Sequence, residues 1–229
     1  MESHLAVDEK NSLLEVRPQS GKQSLPVRLA ARIISYVFHP LFIPVYLSWL
    51  ILNTNAYSFA AFTDRQKLLL MGTFGIMYVM FPLLSVLLMK ALGFISSIHL
   101  KTQRDRIIPY VACMFYYWWV WYVMNNRPEV PQECVVLSLA IFLASIGGLI
   151  ANISMKVSMH AMAAGVMAAF VMLLGFLQDL NFGFYISGSI LLSGAICTAR
   201  FIDSDHTARE IYVGIFIGVV ALLLALQFA

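Results

Sequence analysis

Arg200-Phe201-Ile202-Asp203-Ser204-Asp205-His206-Thr207-Ala208-Arg209-Glu210 is a polar run set between two apolar segments, about Phe182 to Ala199 and Ile211 to Phe228. Each segment is long enough to cross a bilayer. Ionisable groups at that depth are costly and seldom lack a partner or a task, so the run is the first candidate for a functional site. In a helical run, His206 and Glu210 stand four residues apart on one face, and the carboxylate can hold one imidazole nitrogen and leave the other free. Arg200 brings a fixed cation to the same pocket if the chain turns there. A carboxylate-backed imidazole beside a guanidinium suits attack on an anionic phosphorus centre.

Working outward, apolar runs of spanning length recur. Besides the two flanking segments they cover about Ile33 to Leu52, Leu68 to Met89, Ile107 to Met124, Val135 to Ile153 and Ala161 to Leu177. With 60% apolar and 12% charged residues in 229, the chain lies outside the range of soluble domains. The expected fold class is all-α, a polytopic transmembrane helical bundle of about six to seven spanning helices. It occupies residues 30–229 and follows a polar amino-terminal tail over 1–29. That tail has no short apolar core with a cleavage site, so the first apolar segment is expected to act as an uncleaved insertion signal.

The formal charge of +3, with no basic run among exposed aromatics, argues against nucleic acid as a partner. Cys113, Cys134 and Cys197 lack metal-type spacing and read as small core residues. His39-Pro40 and Pro44 predict a kink or break in the first segment. His39 itself reads as a partner for the freed backbone groups, with a place near the pocket as the other reading. Tyr116 to Tyr122 reads as an interfacial aromatic belt. Small residues such as Gly147-Gly148, Ala163-Ala164-Gly165 and Gly188 suit close helix packing.

Seven crossings put the second, fourth and sixth connections on one face of the membrane. These hold His99, Lys101, Arg104, Asp105 and Arg106; Lys156, Ser158 and His160; and the Arg200 to Glu210 run. The opposite connections are ordinary hydrophilic links. Three polar clusters are therefore expected to converge.

Their spacing resembles the three-part signature of the type 2 phosphatidic acid phosphatase family. Its third part is Ser-Arg, five residues, His, three residues, Asp; here Arg200, His206 and Glu210 keep the spacing, with Ala199 for Ser and Glu for Asp. The second part is Pro-Ser-Gly-His, matched by Val157-Ser158-Met159-His160. The first is Lys, six residues, Arg-Pro, and Lys101 leads to Ile108-Pro109, so Arg104 or Arg106 would supply the missing cation.

The resemblance implies a membrane lipid phosphatase. His206 would take the phosphoryl group, Glu210 would orient it, and His160 would protonate the leaving oxygen. Lys101, Arg200, Arg104 or Arg106, and Ser158 would bind phosphate. No metal or other cofactor is then required, since fixed cations compensate the charge that spreads over the phosphoryl oxygens. The expected partners are a lipid phosphate (a monoester or a polyprenyl diphosphate) and membrane lipids. The expected location is a bacterial inner membrane. The positive-inside rule turns the polar face to the cytoplasm, whereas bacterial relatives are expected to work on the outer side.

Two other readings compete. Asp203, Asp205, His206 and Glu210 could ligate magnesium or manganese in lipid or prenyl diphosphate transfer. A transporter or lipid-binding protein could use the same cations to hold an anionic head group.

Overall fold

The computed structural model describes residues 23–54, 58–98, 100, 102–177, 182–204 and 206–229, together with the backbone of 4–7 and 13–16. The protein is a helical bundle. A short antiparallel ribbon, β1 (His4–Val7) with β2 (Leu13–Val16), lies within the amino-terminal tail. The helices are α1 (Leu25–Val37), α2 (Ile43–Thr54), α3 (Asp64–Gly75), α4 (Phe81–Ala91), α5 (Gln103–Asn125), α6 (Gln132–Ser154), α7 (Met159–Leu177), α8 (Gly183–Asp203) and α9 (Ala208–Phe228). A π-helical turn, Ile76–Met80, joins α3 and α4 into one helix over Asp64–Ala91. Among the described residues, six helices are long and apolar enough to span a membrane, which makes this an integral membrane protein.

Five of the six spanning helices begin before their apolar runs do, because polar first turns and their caps extend the helix; α8 begins at Gly183. Thr63 and Thr207 each form a capping box, with Gln66 and Glu210 respectively, and the Thr102 hydroxyl accepts from Asp105 N. The first apolar segment is divided into α1 and α2, neither of spanning length. Pro40 has no N–H to give and turns His39 away from helical geometry, so the chain breaks over Phe38 to Phe42. The Tyr46 hydroxyl donates to the freed Val37 carbonyl at 2.9 Å, and the His39 carbonyl accepts from Phe42 N at 2.8 Å to start the next helix. The π-helical turn precedes Pro82, another residue without an N–H to donate.

Backbone contact between α7 and α9 sets the centre of the bundle. A Cβ on Gly218 would lie 2.2 Å from the Met162 carbonyl oxygen, and one on Gly165 would lie 2.4 Å from that of Ile215. Only glycine permits this approach. The two helices run parallel from the same end, since Gly214 lies against Ser158 and Gly218 against Met162. Of the small residues singled out above, Gly165 is used in this way, while Gly188 has open space around its α-carbon. The aromatic cluster divides. Phe115, Trp119 and Tyr122 are exposed, but Tyr117 turns inward against Tyr78.

Candidate functional site

The starts of α5, α7 and α9 meet at one end of the bundle. Thr102 caps α5 and fixes its phase, which buries Arg106 and leaves Arg104 exposed. Arg106 Nε donates to the Leu100 carbonyl at 3.0 Å, and its Nη1 donates to the Val157 carbonyl at 2.7 Å. Ser158 N donates to the Glu210 carbonyl at 3.2 Å. These bonds tie together the second, fourth and sixth connections, the three that parity puts on one face.

His206 sits just before α9, with its side chain only 4% exposed. Its Nδ1–H donates to Glu210 Oε2 at 3.1 Å, so in the neutral ring Nε2 carries the lone pair. The same oxygen accepts Thr207 N at 2.9 Å, and Thr207 Oγ1 accepts Glu210 N at 3.3 Å. Glu210 thus does two jobs, closing the capping box of α9 and fixing the imidazole. Burial holds His206 down at about 4; the Glu210 hydrogen bond opposes this, and the Arg106 and Arg200 guanidiniums add to it. The ring is neutral at pH 7. Thr207→Ala should remove one half of the box and cost about 1 kcal/mol of stability, read as a lower unfolding temperature in detergent.

His160, in the first turn of α7, donates its Nε2–H to the Ser35 carbonyl at 3.0 Å. Arg200 Nη1 donates to the Ser35 hydroxyl at 3.2 Å. Ser35 on α1 therefore serves two site residues through different atoms. Arg32 pairs with Asp203 at 3.5 Å, fastening α1 along the end of α8.

Together these groups face a cavity of about 570 Å³. Arg106, Lys156 and Arg200 line it with His39, His160 and His206, against the single lining carboxylate of Asp203 among the described residues. Among the described residues, three cations and one carboxylate thus line the same space. Away from this end the walls are apolar, with Leu47, Pro82, Val86, Ala144 and Val166. Leu83, Leu87 and Ile98, each about half exposed, line it as well.

Of the residues chosen from sequence, His160, Arg200, His206 and Arg106 line the cavity, and Glu210 backs His206. Two placements need correction. Arg104 is exposed and does not line the cavity, because residues two apart on a helix point to nearly opposite sides. Ser158 is fully buried outside the cavity wall; its hydroxyl lies 3.4 Å from Ala161 N at the start of α7, where it serves the helix. Lys101 and Asp205 lie outside the described residues. Asp105 accepts from Ser96 N at 2.9 Å and holds the loop before α5.

Sequence reasoning missed Ser35 and, while placing Lys156 among the converging polar clusters, gave it no role at the site. Ser35 gave no signal, being an ordinary serine in an apolar run, while the position of Lys156 four residues before His160 was available. Among the described residues no three His, Cys, Asp or Glu side chains group as a metal site would require. No family model, curated protein or solved structure matches this chain.

Proposed function

We propose that this protein is a lipid phosphatase of a bacterial inner membrane. In this reading it is similar to the type 2 phosphatidic acid phosphatase family, hydrolyses a lipid phosphate monoester or polyprenyl diphosphate, and needs no metal. One observation carries it. A neutral imidazole, backed by a carboxylate on Nδ1, lines one cavity with three cations and apolar walls.

The phosphate of a membrane lipid would sit among Arg106, Lys156 and Arg200, with its tail leaving past Leu83 and Leu87. His206 Nε2 attacks phosphorus, a P–N bond forms, and the P–O bond to the lipid breaks. Glu210 stabilises the charge that develops on the ring. The leaving oxygen takes a proton from His160. Nε2–H stays on the Ser35 carbonyl, so the proton passes through Nδ1, which takes it from the incoming phosphate monoanion and gives it to the leaving oxygen. Water then attacks phosphorus, loses its proton to that Nδ1, and the P–N bond breaks. The cations meet the charge on the equatorial oxygens throughout.

A specific observation favours a second reading. The capping box gives Glu210 a structural reason to be there, and a protein that only holds anionic head groups would keep the same dyad. The test is a phosphate-release panel on the protein in nanodiscs, with phosphatidic acid, phosphatidylglycerol phosphate and polyprenyl diphosphate, with and without chelator. Release that survives the chelator is expected, together with an acid-labile, base-stable phosphoryl group on the protein. Tight lipid binding with no release from any substrate selects the binding protein; release that the chelator stops selects metal chemistry.

A further inference from the structure

His39 is the side chain at the α1–α2 break. Its backbone is set by Pro40, and its ring packs edge to face on His160, with centroids 5.2 Å apart and planes at 84°. It lines the same cavity as Arg200 and His206. Leu41 N–H approaches its Nδ1 at 3.4 Å. A backbone N–H can only donate, so Nδ1 is the acceptor and the neutral ring carries its proton on Nε2. That Nε2–H finds no acceptor among the described residues. The neighbouring His160 has the opposite arrangement, with its Nε2–H on the Ser35 carbonyl and Nδ1 as lone pair. The break thus gives the cavity a fixed neutral donor beside a ring that can take up a proton.

We infer that His39 is a further phosphate-binding residue of this site, donating its Nε2–H to a non-bridging phosphate oxygen in the ground state and in the transition state. The inference rests on the phosphate reading of the cavity. An oxyanion is the acceptor that fits the phosphate reading, since Arg106, Lys156 and Arg200 line the same cavity. A neutral donor adds a hydrogen bond without adding to the repulsion among Arg106, Lys156 and Arg200.

Two conservative substitutions separate this role from a structural one. Gln places an amide N–H near the position of Nε2 and gives up the Nδ1 acceptor. Asn keeps an acceptor near Nδ1, able to hold Leu41 N–H, and gives up the donor. In the full-length protein in nanodiscs, His39→Asn should weaken inorganic phosphate binding and lower kcat/KM by roughly 10- to 100-fold. His39→Gln, which keeps a donor near Nε2, should lose several-fold less of both than His39→Asn, with both limbs of its pH profile unmoved. The reverse order, with Gln impaired and Asn normal, would make His39 a backbone brace. Wild-type behaviour of both would remove it from the phosphate, and a shifted pH limb in His39→Gln would make it an acid or base. In each of these cases the parent still binds or releases phosphate. A parent that does neither ends the phosphate reading itself, and the inference with it.

Discussion

Gly218→Leu is expected to leave no folded, monodisperse protein in detergent, and Gly218→Ala to lower stability by about 3 kcal/mol. The space between α7 and α9 explains both. A single methyl on Gly218 would stand 2.2 Å from the Met162 carbonyl oxygen and 2.8 Å from Val166 N, so the backbones themselves must separate. Nothing in lipid drives them back together except contact, because hydrocarbon solvates an apolar helix as well as another helix does. The effect reaches the site. The first turn of α7 carries His160, the start of α9 carries Glu210, and the bond from Ser158 N to the Glu210 carbonyl spans the gap. Gly188→Ala is the matched control. Nothing lies within 4 Å of a Cβ there, so the change should be stabilising by at most about 1 kcal/mol through helix propensity. Unfolding temperatures followed by size-exclusion chromatography measure all three. A stable Gly218→Leu protein would mean that α7 and α9 do not touch at this point.

His206→Ala is expected to reduce phosphate release by roughly 10⁴-fold or more, as loss of a nucleophile does, while lipid phosphate binding falls little. Glu210→Gln separates the two duties of that carboxylate. Gln at the third helical position still closes a capping box, so the unfolding temperature should hold. The imidazole loses its anionic partner, however, and turnover should fall roughly 10- to 100-fold. The pH dependence follows from the site. Burial keeps the His206 ring at about 4, below the ordinary imidazole value of about 6.5. The nucleophile stays unprotonated as pH falls from 7 to 5, and its acid limb belongs near 4. Stability is linked in the same window: the unfolded chain takes up a proton near 6.5 and the folded one does not, so this contribution is full above 6.5 and fades toward 4. Equal loss of binding and turnover in His206→Ala would count against the nucleophile role.

The spans were legible because each is a long apolar run, and the break was legible because Pro40 and Pro44 lack N–H groups. The meeting of three polar connections at one end followed from counting crossings, and Arg106, His160, Arg200 and His206 were reached that way. What the residues alone could not supply was phase. Whether Arg104 or Arg106 turns inward depends on where α5 begins, and that is set by Thr102, a cap recognisable only once the helix is known. Ser158 was misplaced for a related reason: a hydroxyl at a helix start is drawn to the backbone, and the cavity wall passes to His160 instead. The Gly214-Ile215-Phe216-Ile217-Gly218 spacing is itself a sequence signal of close helix contact. Thr207-Ala208-Arg209-Glu210 carries a capping-box pattern as well as the His206 partner.

Ser35 offers its carbonyl to His160 and its hydroxyl to Arg200. Side-chain replacement reaches only the second of these. A saturation screen at this codon would therefore record a mild phenotype for alanine or glycine, since the peptide oxygen survives every ordinary exchange. The hidden half of the position would surface only through an ester in place of the amide that follows residue 35.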